Sequence, residues 1–279
     1  LLNMPDIEDV QVMIQLLKAL GSLVIREDAH TYVITSGSRR GVLERDLVEA
    51  VRGSILLLGP LLATMDEVFL PPPGGDVIGL RRLDTHFIGL SELGAKCSIN
   101  EEGMIHIKAN QSRLRGGDVF LDESSVTATE NVIMAASLAQ GESIINNAAS
   151  EPHVQNLCQM LISMGCRIEG VGSNRLRIKG VKRLHGCEFR IGSDYMEAGS
   201  FIGLAGASGG QVLLKGVEIE HLRMIRLGFE RIGISFITDG PSSIVVPRKQ
   251  RRVLRKEVGG HTAKIDDAPW PGFPADLLS

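Results

Sequence analysis

IQLLKALGSLVI, residues 14–25, sets apolar side chains at i, i+3 and i+4, stops on Gly21 and then alternates as a short strand does. The same arrangement recurs as FIGLSELGAKCSI at 87–99, LCQMLISMGCRI at 157–168 and RLGFERIGISFI at 226–237. The glycines Gly21, Gly94, Gly165 and Gly233 stand 73, 71 and 68 residues apart. Each copy predicts a helix closed by a left-handed residue, a conformation that glycine takes without a Cβ clash, followed by a half-buried strand.

A second strand follows in MIHIKA (104–109), RLRIKG (175–180) and SIVVP (243–247). Between the copies lies another helical pattern: VEAVRGSILLLGPLLA at 48–63, TATENVIMAASLAQG at 127–141 and MEAGSFIGLAGASGG at 196–210. The last two run into the strands SIINNAA (143–149) and QVLLKGV (211–217), so each unit reads β-α-β-α-β-β. A repeat of about seventy residues exceeds solenoid lengths and predicts modules around an axis, helices inside and sheets outside. The chain opens inside one unit and stops where another helix is due, which predicts a sequence cut at both ends.

With 279 residues, 43% of them hydrophobic and 23% charged, two domains are expected. A net charge of -3 excludes a global basic field for nucleic acid. RKQRRVLRK at 248–256 is basic but has no aromatic residue interleaved for base stacking, and reads as a solvated hairpin edge. Cys97, Cys158, Cys166 and Cys187 form no CxxC pair, so neither a metal site nor a disulfide framework is predicted. No cofactor is implied. The apolar run 55–63 is too short for a bilayer and no leader pattern is present, which predicts a cytoplasmic protein without membrane contact.

Several residues invite chemistry. In Pro71 to Asp76 three prolines stiffen a loop while Gly74 and Gly75 free its backbone to approach a ligand; spacing alone favours a surface loop. Arg81 and Arg82 offer guanidinium forks for a carboxylate or phosphate, or a solvated basic pair. Arg52 reads first as the polar edge of an amphipathic helix. Glu123 to Val126 precede a helix whose free N–H groups favour a diphosphate, while Ser125 or Thr127 can cap it and Thr127 with Glu130 makes a capping-box pattern. Asp276, after Pro and Ala, reads as a helix N-cap. His86 and His153 have no third ligand in sight and receive no catalytic role.

The repeat organisation, PPPGGDVIGLRRLDTH at 71–86 and DDAPWPGFPAD at 266–276 together resemble the enolpyruvyl transferases, and the nucleotide-sugar branch of them best. The likeness also runs through LNMPDIEDV, VRGSILLLGPLLA, INNAASEPHV and SDYMEAGSF. It implies an α/β (α+β) inside-out barrel of two domains with the active site in the cleft between them. Residues 1–193 would be the first domain and 194–279 a partial second.

The resemblance further implies that UDP-N-acetylglucosamine and phosphoenolpyruvate are the substrates. Asp76 stands where the family carries its proton donor, usually a cysteine, which implies insensitivity to the thiol-alkylating inhibitor fosfomycin. Arg52 and Arg81 match substrate-contacting arginines, and Arg81, Arg82, Leu83, Asp84 and Thr85 match the uracil pocket, with Asp84 reading the base. Ser125 and Val126 match a diphosphate contact, whereas Glu123 replaces a lysine. Asp276 matches the base that takes the proton of the sugar 3-hydroxyl, and it also contacts the sugar. The family's N-terminal Lys-Asn pair and its later arginines have no counterpart in the 279 residues, which predicts a fragment inactive by itself. A non-catalytic UDP-sugar-binding paralogue and a shikimate-pathway enolpyruvyl transferase are the alternatives.

Overall fold

All four repeat glycines have positive φ: 88° at Gly21, 87° at Gly94, 97° at Gly165 and 84° at Gly233. Each N–H turns back to the carbonyl three residues earlier, at Lys18, Ser91, Ile162 and Glu230. The helix therefore ends at the same point in every copy, and the chain leaves as extended backbone. The computed structural model that gives this geometry describes residues 1–37, 43–75, 82–110 and 113–278.

Two compact units emerge, Leu1–Ile191 and Gly192–Ser279. The first begins with helix α1 (Glu8–Ala19) and the hairpin β1 (Leu23–Arg26) and β2 (Tyr32–Thr35). Next come α2 (Arg45–Glu49), a 3-10 helix (Arg52–Leu57) and α3 (Leu58–Leu62), then β3 (Glu67–Leu70), α4 (Asp84–Glu92), β4 (Ala95–Ile99) and β5 (Ile105–Ala109). The unit closes with β6 (Asp118–Phe120), α5 (Val126–Ser137), β7 (Glu142–Asn146), α6 (Pro152–Ser163), β8 (Arg167–Glu169) and β9 (Arg175–Lys179). This last run is the predicted β-α-β-α-β-β module in full.

The sheets have the orders β3-β5-β4 and β6-β7-β9-β8, with β6 parallel to β7 and every other pair antiparallel. Period-2 alternation places Ile105 and Ile107 in the core and sends Phe69, Ile99 and Phe120 to the outer face. Helices α3 and α4 both pack on α5, whose Ala128, Asn131, Val132, Ile133, Ala135 and Ala136 are buried. Within this unit the helices are inside and the sheets outside, as the repeat predicts. Each fully buried side chain such as Leu58, Leu90 or Ile133 contributes about 1.5–3 kcal/mol by leaving water.

The pattern at 48–63 predicts one helix, and the structure has three pieces, with extended Val51 between the first two. Asn131 of α5 accounts for the break between the 3-10 helix and α3. Its Oδ1 accepts the Gly59 N–H at 2.7 Å and its Nδ2 donates to the Ile55 carbonyl at 2.9 Å. Those are the two groups that an unbroken helix would join to each other, so a side chain has entered the ladder. A Cβ on Gly59 would lie 2.4 Å from the Asn131 carbonyl oxygen, so only glycine fits there.

The second unit holds α7 (Tyr195–Ser208), β10 (Val212–Lys215), a short 3-10 turn (Ile219–Leu222), α8 (Arg223–Arg231), β11 (Ile237–Thr238) and β12 (Ser243–Val246). Its sheet order is β10-β12-β11. Asp194 caps α7 by accepting the Met196 and Glu197 N–H groups at 2.8 and 3.1 Å. Phe273 is buried edge-on against Phe229, and Trp270 meets the edges of Tyr195 and His221 at centroid distances of 5.2 and 5.8 Å. The basic stretch 248–256 is irregular, with an isolated bridge from Lys256 to Thr262 closing a small exposed loop. Among the described residues no helix is long and apolar enough to cross a membrane.

Candidate functional site

The site is built where α2, the 3-10 helix, α4 and the start of α5 meet in the first unit. Gly74 and Gly75 donate their N–H groups to the Val48 and Glu49 carbonyls at 3.4 and 3.3 Å, drawing the end of the Pro71–Gly75 loop onto the end of α2. The fit is close: a Cβ on Gly74 would overlap the Glu49 carbonyl at 1.5 Å, and one on Gly75 would sit 3.0 Å from the Cβ of Arg52. Arg52 opens the 3-10 helix and is half-buried beneath that loop. Asp76 and Arg81 lie outside the described residues.

Leu83 is the N-cap residue of α4 and is half-buried. Arg82 is exposed and engaged: its Nε donates to Asp84 at 3.0 Å and its Nη2 to Asp122 at 3.4 Å. Thr85 is buried and gives its hydroxyl hydrogen to the other oxygen of Asp122 at 2.7 Å. Asp122 thus ties the first turn of α4 to the strand end that leads into α5. Arg82, read from the sequence as an anion-binding fork or a solvated basic pair, is exposed and paired with Asp84 and Asp122, with Glu123 adding to the negative field around it.

Ser125 is the N-cap of α5, its Oγ accepting the Ala128 N–H at 3.4 Å, and Val126 is the first helical residue. The capping box read from Thr127 and Glu130 does not form. Thr127 lies inside the helix and its hydroxyl meets His86 Nε2 at 3.2 Å. His86 Nδ1 faces Asn131 Nδ2 at 3.0 Å. Asn131 must present its NH2 there, because its Oδ1 holds the Gly59 N–H, so Nδ1 accepts and the imidazole is neutral with hydrogen on Nε2. Burial, with the Arg52 charge nearby, pushes the His86 pKa down to about 4. One turn further on, burial and the neighbouring Glu151 push Glu130 up to about 7.

Sequence reasoning left His86, Asn131 and Asp122 without roles and gave Glu130 only a capping one. Their signal is spatial: Thr85 finds Asp122 37 positions away, and His86 finds Thr127 and Asn131 41 and 45 positions away. The first unit therefore brings together Arg52, Arg82, Leu83, Asp84, Thr85, Ser125 and Val126. Asp276 belongs to the second unit. It is exposed in a 3-10 turn (Ala275–Leu277) whose N-cap position is held by Pro274, so the N-cap reading of Asp276 is replaced by a first-turn position.

Three of the cysteines are held away from the thiolate form. Burial pushes the Cys97 and Cys166 thiols up and carries Cys158 up to about 12.

Helices inside and sheets outside, in units that repeat at about seventy residues, are the architecture of the enolpyruvyl-transferase class of fold. The crystal structure of the enolpyruvyl transferase NikO from Streptomyces tendae matches it with a TM-score of 0.72 at 18% identity, covering 88% of this chain and 59% of that one. An EPSP synthase from Acinetobacter baumannii matches with a TM-score of 0.66 at 19% identity, covering 87% and 58%. The family model for EPSP synthase (3-phosphoshikimate 1-carboxyvinyltransferase) matches residues 1–279, and the chain belongs to that family. Among curated relatives, the UDP-N-acetylglucosamine 1-carboxyvinyltransferase of Treponema denticola is 51% identical over 278 residues, 99% of this chain. That of Borrelia garinii is 49% identical over 277 residues, again 99% of this chain. The chain spans 64% of the length of each of these relatives.

Proposed function

We propose that this chain is part of an enzyme that moves the enolpyruvyl group of phosphoenolpyruvate to the 3-hydroxyl of UDP-N-acetylglucosamine, releasing phosphate, a step toward peptidoglycan. The supporting observation is that the first turn of α4, with Asp84 and Thr85, is joined through Asp122 to the start of α5, with Ser125 and Val126. One face thus offers the exposed Asp84 carboxylate for a base and helix N–H groups for a diphosphate. Relatives of 42–51% identity carry the UDP-sugar name, whereas the likeness to EPSP synthase at 19% supports the fold alone.

In this reading Asp276 takes the proton of the sugar 3-hydroxyl as its oxygen bonds to C2 of the enolpyruvyl group. Asp76 gives a proton to the C3 methylene, which becomes a methyl. The C2–O bond to phosphate then breaks, the methyl returns a proton to the Asp76 carboxylate, and the double bond returns on the sugar ether. Arg52 and Arg81 neutralise substrate charge. Asp76 acts as an acid near neutral pH when desolvation raises its pKa from the ordinary carboxylate value of about 3.9. The two domains 1–193 and 194–279 carry these groups in a cytoplasmic protein.

Titration calorimetry of UDP-N-acetylglucosamine into the wild-type chain and Arg81→Ala tests the reading. Wild-type binding weakened at least about tenfold in the variant is expected for a lost charge-assisted contact. A folded wild type that binds no UDP-sugar sinks it. Fosfomycin gives a second check: intact-mass spectrometry is expected to show no adduct, because a carboxylate is a poor nucleophile for the epoxide. A stoichiometric adduct on Asp76 would refute the acid-only role.

A further inference from the structure

Asn131 is fully buried, and its side chain fills the gap in the helical ladder between the Ile55 carbonyl and the Gly59 N–H. The same carboxamide gives its remaining hydrogen to His86 Nδ1, and the His86 Nε2–H reaches the Thr127 hydroxyl at the start of α5. A continuous chain of hydrogen bonds therefore runs from the helix that carries Arg52 to the first turn that carries Val126. Every link is directional, and His86 and Asn131 at its centre are 1% and 0% exposed.

We infer that Asn131 and His86 form a buried positioning strut that fixes the Arg52 helix relative to the first turn of α5, and thereby presets two anion-contacting elements for one substrate. The inference rests on the proposed UDP-sugar reading for the identity of that substrate. Neither residue touches ligand in this scheme. Both act through Arg52 and the α5 N–H groups, as the supporting layer of a preorganised site does. Loss of the Asn131 carboxamide lets the Gly59 N–H return to the Ile55 carbonyl and straightens the segment that bears Arg52, whereas loss of the Thr127 hydroxyl releases His86 from the start of α5.

The test uses Arg52→Ala, Asn131→Leu, their double variant, and Thr127→Val, which cuts a single link at the far end and preserves shape. With UDP-N-acetylglucosamine as titrant, Asn131→Leu is expected to weaken binding by about tenfold when Arg52 is present and by less than about twofold in the Arg52→Ala background. Equal losses in both backgrounds, or no loss, overturn the inference. Nuclear magnetic resonance of the ligand-free chain supplies a readout independent of binding. The Arg52 Nε–H and the Ser125 and Val126 amides are expected to shift in both Asn131→Leu and Thr127→Val. Resonances that stay in place overturn the strut whether or not ligand binds. Shifted resonances in a chain that never binds the sugar sustain the strut and overturn the UDP-sugar reading.

Discussion

His86 and Glu130 face each other's problem with opposite signs. His86 drops from 6.5 to about 4 in the fold because burial disfavours its charged form. Unfolded chains take up that proton below about pH 6.5 and the native state does so only below about 4, so stability is lost as pH falls through this window, by about 3 kcal/mol. Glu130 rises from 4.5 to about 7, so its contribution is present below 4.5 and lost as pH rises through 7. The two slopes oppose each other between about pH 4.5 and 6.5, and the wild type should be nearly flat there. Urea titrations of Glu130→Gln at several pH values check this. The variant should gain stability steadily from pH 4.5 to 6.5 and exceed wild type at pH 8. A pH-independent difference between the two proteins would show that Glu130 does not titrate as described.

At the scale of elements, what could be read from the sequence had local causes. Apolar spacing and the four closing glycines located α1, α4, α6 and α8 with the strands after them, because a helix period and a left-handed stop are written in neighbouring residues. The broken helix at 48–63 was only partly legible: Pro60 has no N–H to give the Leu56 carbonyl, a local signal, whereas Asn131 lies 72 and 76 positions from the groups it separates. Much of the candidate site follows the same division. Ser125 and the glycines of the loop announce themselves through local chemistry, whereas the Arg82–Asp122 and Thr85–Asp122 contacts exist only once β6 ends beside α4. Two glycine replacements separate these kinds of constraint. Gly59→Ala drives a Cβ into Asn131 and should cost about 2–3 kcal/mol as an overpacked core does. Gly94→Ala has open space around its Cβ and should cost only the left-handed penalty, about 1–2 kcal/mol. Equal midpoint shifts in denaturant would mean that the Asn131 insertion tolerates a methyl group.

The whole molecule divides its resources unevenly. The first unit encloses one continuous core from Leu16 to Ile178, whereas the second gathers a smaller cluster around Ile202, Ile225, Phe229 and Ile244. Burial per residue favours larger cores, so the second unit should be the weaker of the two. Heating should therefore give two transitions, with amide circular dichroism registering both. The aromatic cluster around Trp270 turns this into a selective measurement. Trp270 is the chain's single tryptophan and its ring lies against Tyr195 and His221, all within the second unit. Emission excited at the indole band therefore comes from that unit and is silent about the first. A fluorescence midpoint below the principal dichroism midpoint would show that the units melt separately; coincident midpoints would show that they unfold as one. The protein carries a built-in optical label on the smaller of its two units, and no dye or engineered probe is needed to watch that unit alone.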